Sequence, residues 1–235
     1  MQNTQIKYLI SLLSKLRPHP MIIYPPDYWL SPLGAALGLI GTAYLSHLLL
    51  SDFNPWFIAP MGASAVLLFA VPASPLAQPW SVIGGNLIAA AVGITCAKLI
   101  ATPILAVALA VSLAIAFMMR LRCLHPPSGA VALTAILGGP QVSELGYQFV
   151  LSPVLINSLL LVMLAIIFNL LAKRDYPHHP KTFQKSIKDL GEITLEDVEK
   201  ALRLHHELLD IDETDLLNIV KQTEQIAKDR RKRQP

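Results

Sequence analysis

The sequence predicts an all-α polytopic membrane protein: two inverted repeats of three elements each (long, short, long), followed by a C-terminal helical hairpin. Three observations carry this. Of the 235 residues, 53% are hydrophobic and 15% charged, too apolar for an ordinary soluble domain. Between Leu30 and Ala172 the only charges are Asp52, Lys98, Arg120, Arg122 and Glu144. The apolar stretch is broken twice by an abrupt run of small residues behind a proline: Ala59-Pro60-Met61-Gly62-Ala63-Ser64-Ala65 and Leu124-His125-Pro126-Pro127-Ser128-Gly129-Ala130. The chain therefore divides into an N-terminal segment (1–29), a membrane region (30–174) and a polar cytoplasmic tail (175–235).

Over 4–17, Ile6, Leu9, Ile10, Leu13 and Leu16 recur at helical spacing, with Lys7, Ser11, Ser14 and Lys15 between them. This predicts an amphipathic basic helix lying on an anionic membrane face; packing on the protein's own tail is the alternative. A secretory signal needs a continuous apolar block followed by small residues, and this segment has neither. Pro18, Pro20, Pro25 and Pro26 make a connector, and Tyr28 and Trp29 suit the lipid–water interface. Long spans are predicted over 32–50, 79–98, 103–119 and 153–172. Each opens with a proline at the first helical position: Ser31-Pro32, Gln78-Pro79, Thr102-Pro103 and Ser152-Pro153. Short helices are predicted over 60–70 and 127–137, the second stopped by Gly138-Gly139-Pro140. Residues 52–56, 72–79 and 138–147 read as connections. Aligning Pro60 with Pro127 also aligns Gly62 with Gly129, Ala63 with Ala130 and Ala65 with Ala132. The shared long–short–long order supports reading this as an internal repeat.

Basic residues orient membrane proteins toward the cytoplasm. If all six elements cross, Lys7, Lys15, Arg17, Arg120, Arg122, Lys173 and Arg174 share that side. Asp52 and Glu144 fall on the other, and Lys98 is the exception. Re-entrant short helices would satisfy Lys98 but place Arg120 and Arg122 outside. Six crossings put both termini in the cytoplasm, in the inner membrane of a bacterium. Three elements per repeat then make the halves inverted, a transporter design whose paired short helices point to a site near the midplane. In the tail, Thr194 caps a helix over 195–209 and Asp212 a second through about residue 230. Asp210, Asp212 and Asp215 lack the glycine and distal glutamate of a calcium loop. Cys96 and Cys123 have no metal-ligand spacing. No metal or cofactor is expected, and a net charge of +3 gives no nucleic-acid footprint.

A helix N-terminus carries unpaired N–H groups and a partial positive charge of about half an electron. Two such ends facing each other make an anion site without lysine. Gly62, Ala63, Gly129 and Ala130 leave the backbone uncovered, beside the prolines Pro60 and Pro127 that open the two short helices. Ser64 and Ser128 add hydroxyls, and His125 adds an imidazole that binds the anion or carries a coupled proton. Asn86 and Asn157, early in the spans after each short helix, line the site or serve as interhelical hydrogen bonds. Close helix packing accounts for the small residues equally well, and His125 can be a simple cap. Ser128-Gly129-Ala130 does not make a G-x-S-x-G elbow, and no carboxylate is placed to orient a base, so an enzyme is not expected. The walls of six short elements are thin, so a homo-oligomer in the lipid bilayer is expected.

His125-Pro126-Pro127-Ser128-Gly129-Ala130, with 60–69 and with Gln78-Pro79-Trp80 leading to Gly84-Gly85-Asn86, resembles the HPP family of integral membrane proteins. The resemblance covers roughly 31–174 and rests on the joint occurrence of the three motifs. It implies a membrane protein usually described with four transmembrane helices. It also implies nitrite as the substrate, because plant plastid and cyanobacterial members are associated with nitrite transport. Some members carry nucleotide-sensing CBS modules; the tail here is expected to be too short for a pair of them. The residues themselves reach only a small monovalent anion. The competing expectation is a non-transporting membrane scaffold whose tail binds a partner.

Overall fold

The computed structural model describes residues 25–50 and 58–178, with six helical positions between 216 and 223. The amphipathic helix expected over 4–17 and nearly all of the tail hairpin lie outside the described residues. Among the described residues the regular elements are all helical. They are α1 (Asp27–Leu50), α2 (Ile58–Ala70), α3 (Pro79–Leu99), α4 (Pro103–Arg120), α5 (Ser128–Leu137), α6 (Pro140–Leu145) and α7 (Ile156–Leu171). A 3₁₀ turn, Pro75–Ala77, precedes α3, and a π-helical stretch, Val150–Leu155, leads into α7.

Four segments are long and apolar enough to cross a bilayer: Asp27–Leu49, Pro79–Leu99, Pro103–Arg120 and Val150–Leu171. α2 and α5 have 13 and 10 residues, so they are about 20 and 15 Å long against a hydrocarbon layer of about 30 Å. The six-element pattern and the four-helix description are therefore one fold: four spans and two half-length helices.

Three boundaries differ from the sequence expectation, each for a local reason. α1 begins at Asp27, ahead of Pro32, because Pro25 and Pro26 accept the first helical hydrogen bonds. Asp27 also places a carboxylate in the first turn, where the helix dipole favours it. Residues 138–147, expected as a plain loop, contain α6, which opens on Pro140 and stops at Gly146 (φ 52°). The last span starts before Pro153. Ser152 is extended there (φ −134°, ψ 110°), since a proline lacks a donor and keeps the preceding residue out of the helical region.

Hydrogen bonds fix the direction of each run. Arg174, just past α7, donates to Asp27 and Ser31 of α1 and to the Phe69 carbonyl at the end of α2. Trp80 Nε1 donates to Leu121 O, past the end of α4, and the Tyr176 hydroxyl donates to Ala77 O. The starts of α1 and α3 and the ends of α2, α4 and α7 thus share one rim. At the far end of α3, Tyr147 meets Thr95 at 3.0 Å and lies 5.9 Å from Lys98 Nζ to its ring centroid. The six main runs alternate in direction, and the membrane region begins and ends on the same rim.

α3 is central, packing against α4, α5 and α7. α1 packs on α2 and α7, α4 on α5, and α2 on α7. Exchanging α1, α2 and α3 for α4, α5 and α7 carries this set of pairs onto itself, with α3–α7 unchanged. Between helices in lipid the attraction comes from close contact rather than from expelled water, and small residues supply it. A Cβ on Gly34 or Gly38 would lie 2.6 or 2.5 Å from the Phe69 ring. Phe69 in turn meets Phe168 edge-on, with centroids 5.5 Å apart. A Cβ on Gly93 would lie 2.6 Å from Ala135 Cβ. On α4, Ala106, Ala110, Ala114 and Met118 form a buried stripe, while Leu105, Leu109, Leu113 and Phe117 are exposed.

Arg174 ties both ends of the membrane region to α2. Its side chain is 12% exposed and that of Asp27 17%. Arg174→Ala leaves the Asp27 carboxylate and the Phe69 carbonyl without this partner. The expected cost is about 3 kcal/mol, read as a lower thermal unfolding midpoint in detergent. Adding Asp27→Asn should return part of it; an unchanged midpoint for Arg174→Ala would show that the tie carries no stability.

Candidate functional site

The site begins where α4 ends. Arg122 takes a left-handed conformation (φ 55°), and Cys123 N–H reaches back to Met118 O at 2.9 Å. The turn sends residues 123–127 inward against α3. It fits because α3 has a glycine there. A Cβ on Gly85 would sit 2.8 Å from Ser128 Oγ and 2.9 Å from both Cys123 O and His125 Cβ.

His125 is fully buried. Its Nδ1 lies 2.8 Å from Leu76 O. A carbonyl only accepts, so Nδ1 carries the proton and Nε2 is left as the acceptor. Ser64 Oγ lies 2.8 Å from Nε2 and donates to it; Pro60 O, 3.2 Å from the same hydroxyl, is its alternative acceptor. The resting imidazole is neutral.

The turn that supplies Leu76 O is itself fastened. Gln78 Nε2 donates to Pro72 O and Ser74 O, both at 2.9 Å, and its Oε1 accepts from His178 N–H. Ser81 Oγ donates to Pro75 O at 2.8 Å. The Tyr176 hydroxyl holds Ala77 O at 2.9 Å. Residues 176–178, just past α7, strap this turn from outside.

One residue turn beyond His125, a second line of hydrogen bonds starts. Ser128 Oγ donates to Asn86 Oδ1 at 2.8 Å, and Asn86 Nδ2 donates to Ser158 Oγ at 3.0 Å. Ser158 then donates to Val154 O at 2.8 Å, inside the π-helical stretch. Ser64, His125, Ser128, Asn86 and Ser158 are all fully buried. They form two neutral runs, Ser64–His125 and Ser128–Asn86–Ser158, joined through the backbone by Ser128 N–H to His125 O at 2.9 Å, and this seam links α2, α5, α3 and α7.

The structure thus unites His125, Ser64, Ser128 and Asn86, with Pro60 contributing its carbonyl. Asn157 does not join them: its Nδ2 turns back to Pro153 O at 3.0 Å. Its neighbour Ser158 takes that place, and the break at Pro153 is the sequence feature that could have drawn attention to it. Pro60 and Pro127 are buried, Gly62, Gly129 and Ala130 half-buried, and Ala63 exposed. The backbone at α5 is less open than a bare helix N-terminus. Pro126 and Pro127 have no N–H, and those of Ser128, Gly129 and Ala130 bond to the carbonyls of His125, Pro126 and Pro127 at 2.9, 3.1 and 3.0 Å. Side chains, not first-turn amides, therefore make this polar line.

The glycines separate into two kinds. Gly34, Gly38, Gly85 and Gly93 are required by close neighbours, whereas a Cβ on Gly62 or Gly129 would meet nothing within 4 Å. Those two are the pair that the repeat alignment matches, and no contact among the described residues requires them. Among the described residues no group of His, Cys, Asp or Glu is arranged to hold a metal.

The family described as "HPP, transmembrane region" matches residues 22–177. Two Dictyostelium discoideum proteins, each described as a transmembrane protein, are similar to this chain. One is 42% identical over 125 residues, covering 51% of this chain and 44% of the relative. The other is 37% identical over 155 residues, covering 63% and 49%. The chain therefore spans about half the length of these relatives. No solved structure matches it. The family match runs from just before α1 to the strap at Tyr176, enclosing the four spans, both half-length helices and the whole polar seam: the chain belongs to the HPP family of integral membrane proteins.

Proposed function

We propose that this protein moves a small monovalent anion across the membrane along the seam between α2 and α5, and that the anion is nitrite. The family resemblance supplies nitrite. The observation that carries the transport reading is the seam itself, a buried line of hydrogen-bonding side chains at a broken span, flanked by the two glycines with open space. Hydroxyl, amide and imidazole groups can exchange a partner within the protein for an oxygen of the anion. Each such neutral bond is worth about 0.5–1.5 kcal/mol, which suits reversible binding. The side chains of the seam are uncharged, so an anion is not held by a fixed ion pair.

In this proposal the rim with Arg120, Arg122, Lys173 and Arg174 faces the cytoplasm of a bacterial inner membrane, and no covalent chemistry takes place. A homo-oligomer is part of it. α5 is about 15 Å long, and the backbone beyond its ends needs protein or water around it rather than lipid.

Nitrite uptake into proteoliposomes containing this protein alone tests the proposal. Uptake above protein-free vesicles is expected; none, with or without a pH gradient, would overturn it. Gly129→Leu and Gly62→Leu enter open space, so their thermal midpoints should stay near the parent value. Uptake should fall by about tenfold or more, as when a bulky side chain obstructs a site; unchanged uptake would place the route elsewhere. Asn86→Ala leaves Ser128 Oγ without its acceptor, at an expected cost of about 1–3 kcal/mol in stability. Adding Ser128→Ala should return part of that loss in a thermal melt, and full additivity of the two losses would deny the coupling.

A further inference from the structure

His125 and Ser64 have two complete hydrogen-bonding arrangements, not one. In the neutral arrangement Nδ1–H donates to Leu76 O and the Ser64 hydroxyl donates to Nε2. If Nε2 takes up a proton, it becomes a donor. The Ser64 oxygen can accept that bond while its own hydrogen turns to Pro60 O, 3.2 Å away. No partner is lost, and the only covalent change is the new N–H bond. A buried imidazole without such a second acceptor would lose a hydrogen bond on charging.

What opposes the charged arrangement is desolvation, and an adjacent anion offsets desolvation. We infer that His125 and Ser64 form a proton-binding site that loads together with the transported anion, so that one proton and one nitrite cross with no net charge. This rests on the anion reading above and names its coupling ion. Binding linkage is reciprocal: an anion that favours the proton is favoured by it to the same degree. The neutral resting imidazole then accepts a proton mainly when the anion is present.

The surroundings leave His125 as the group suited to this. α2, the Pro75–Ala77 turn and α5 carry no titratable side chain. α3 brings Gly85 to His125 and holds Lys98 at the far rim. The connecting segment brings the buried thiol of Cys123 against Gly84 and keeps Arg122 exposed. The strap brings the Tyr176 hydroxyl to Ala77 O.

Nitrogen-15 histidine spectra of the full chain in lipid nanodiscs, with His125→Gln identifying the His125 resonances, follow its titration with and without nitrite. Nitrite is expected to raise the midpoint by about one unit or more, a tenfold change in proton affinity. Ser64→Ala is expected to remove most of that shift. In proteoliposomes, uptake above protein-free vesicles should be about tenfold faster from an outside medium at about pH 5.5 than at about pH 7.5, and should not respond to an imposed membrane potential. A midpoint indifferent to nitrite, or uptake driven by potential and not by acidity, overturns the inference while leaving anion transport standing. A nitrite-linked titration without any uptake supports the proton site and sinks the transport reading.

Discussion

In the core of a bilayer no solvent takes up a hydrogen-bonding group that the fold leaves over. The two half-length helices make that constraint acute, since each ends where a spanning helix would continue. The structure meets it from both directions. At the start of α5, two prolines remove two donors and the next three amides fold back onto the carbonyls behind them. At the end of α2, Asn169 Nδ2 and Arg174 reach across from α7 to the carbonyls of Leu68 and Phe69. What remains is a set of side chains, His125, Ser64, Ser128, Asn86 and Ser158, that satisfy one another. These five side chains stay buried because each has a hydrogen-bond partner, whereas Asn169 Oδ1 has none among the described residues.

The same constraint divides the small residues. Some glycines exist so that helices can touch: Gly85 admits the inward turn at His125, and Gly93 lets α3 lie against α5. Helix contact of this kind is what holds a bundle together when lipid is as apolar as leucine. Gly62 and Gly129 hold nothing and touch nothing at the position of a missing Cβ.

Much of this architecture was legible in the sequence because its signals are local. Prolines open helices by fixing φ and lacking a donor, and the scarcity of charge between Leu30 and Ala172 marks the membrane region without reference to tertiary contacts. The remaining features depend on neighbours far along the chain. Whether Asn157 or Ser158 faces Asn86 is a matter of helical register past the break at Pro153, which a nearest-neighbour pattern does not determine. That the first amides of α5 are already engaged follows from the path of residues 123–127, set by Arg122 and by the room at Gly85. Likewise, Gly62 and Gly85 look alike in sequence; only the packed structure distinguishes a gap from a contact.

The strap formed by residues 176–178 bears on how the chain can be handled and how its parts communicate. Tyr176 and His178 lie beyond the last span by hydropathy, in what reads as linker, yet they hold the turn whose Leu76 carbonyl sets the tautomer of His125. A truncation, fusion or cleavage placed directly after the last span would release that turn and change an imidazole buried between other helices. The membrane unit therefore reaches beyond its last apolar span and includes Tyr176 and His178.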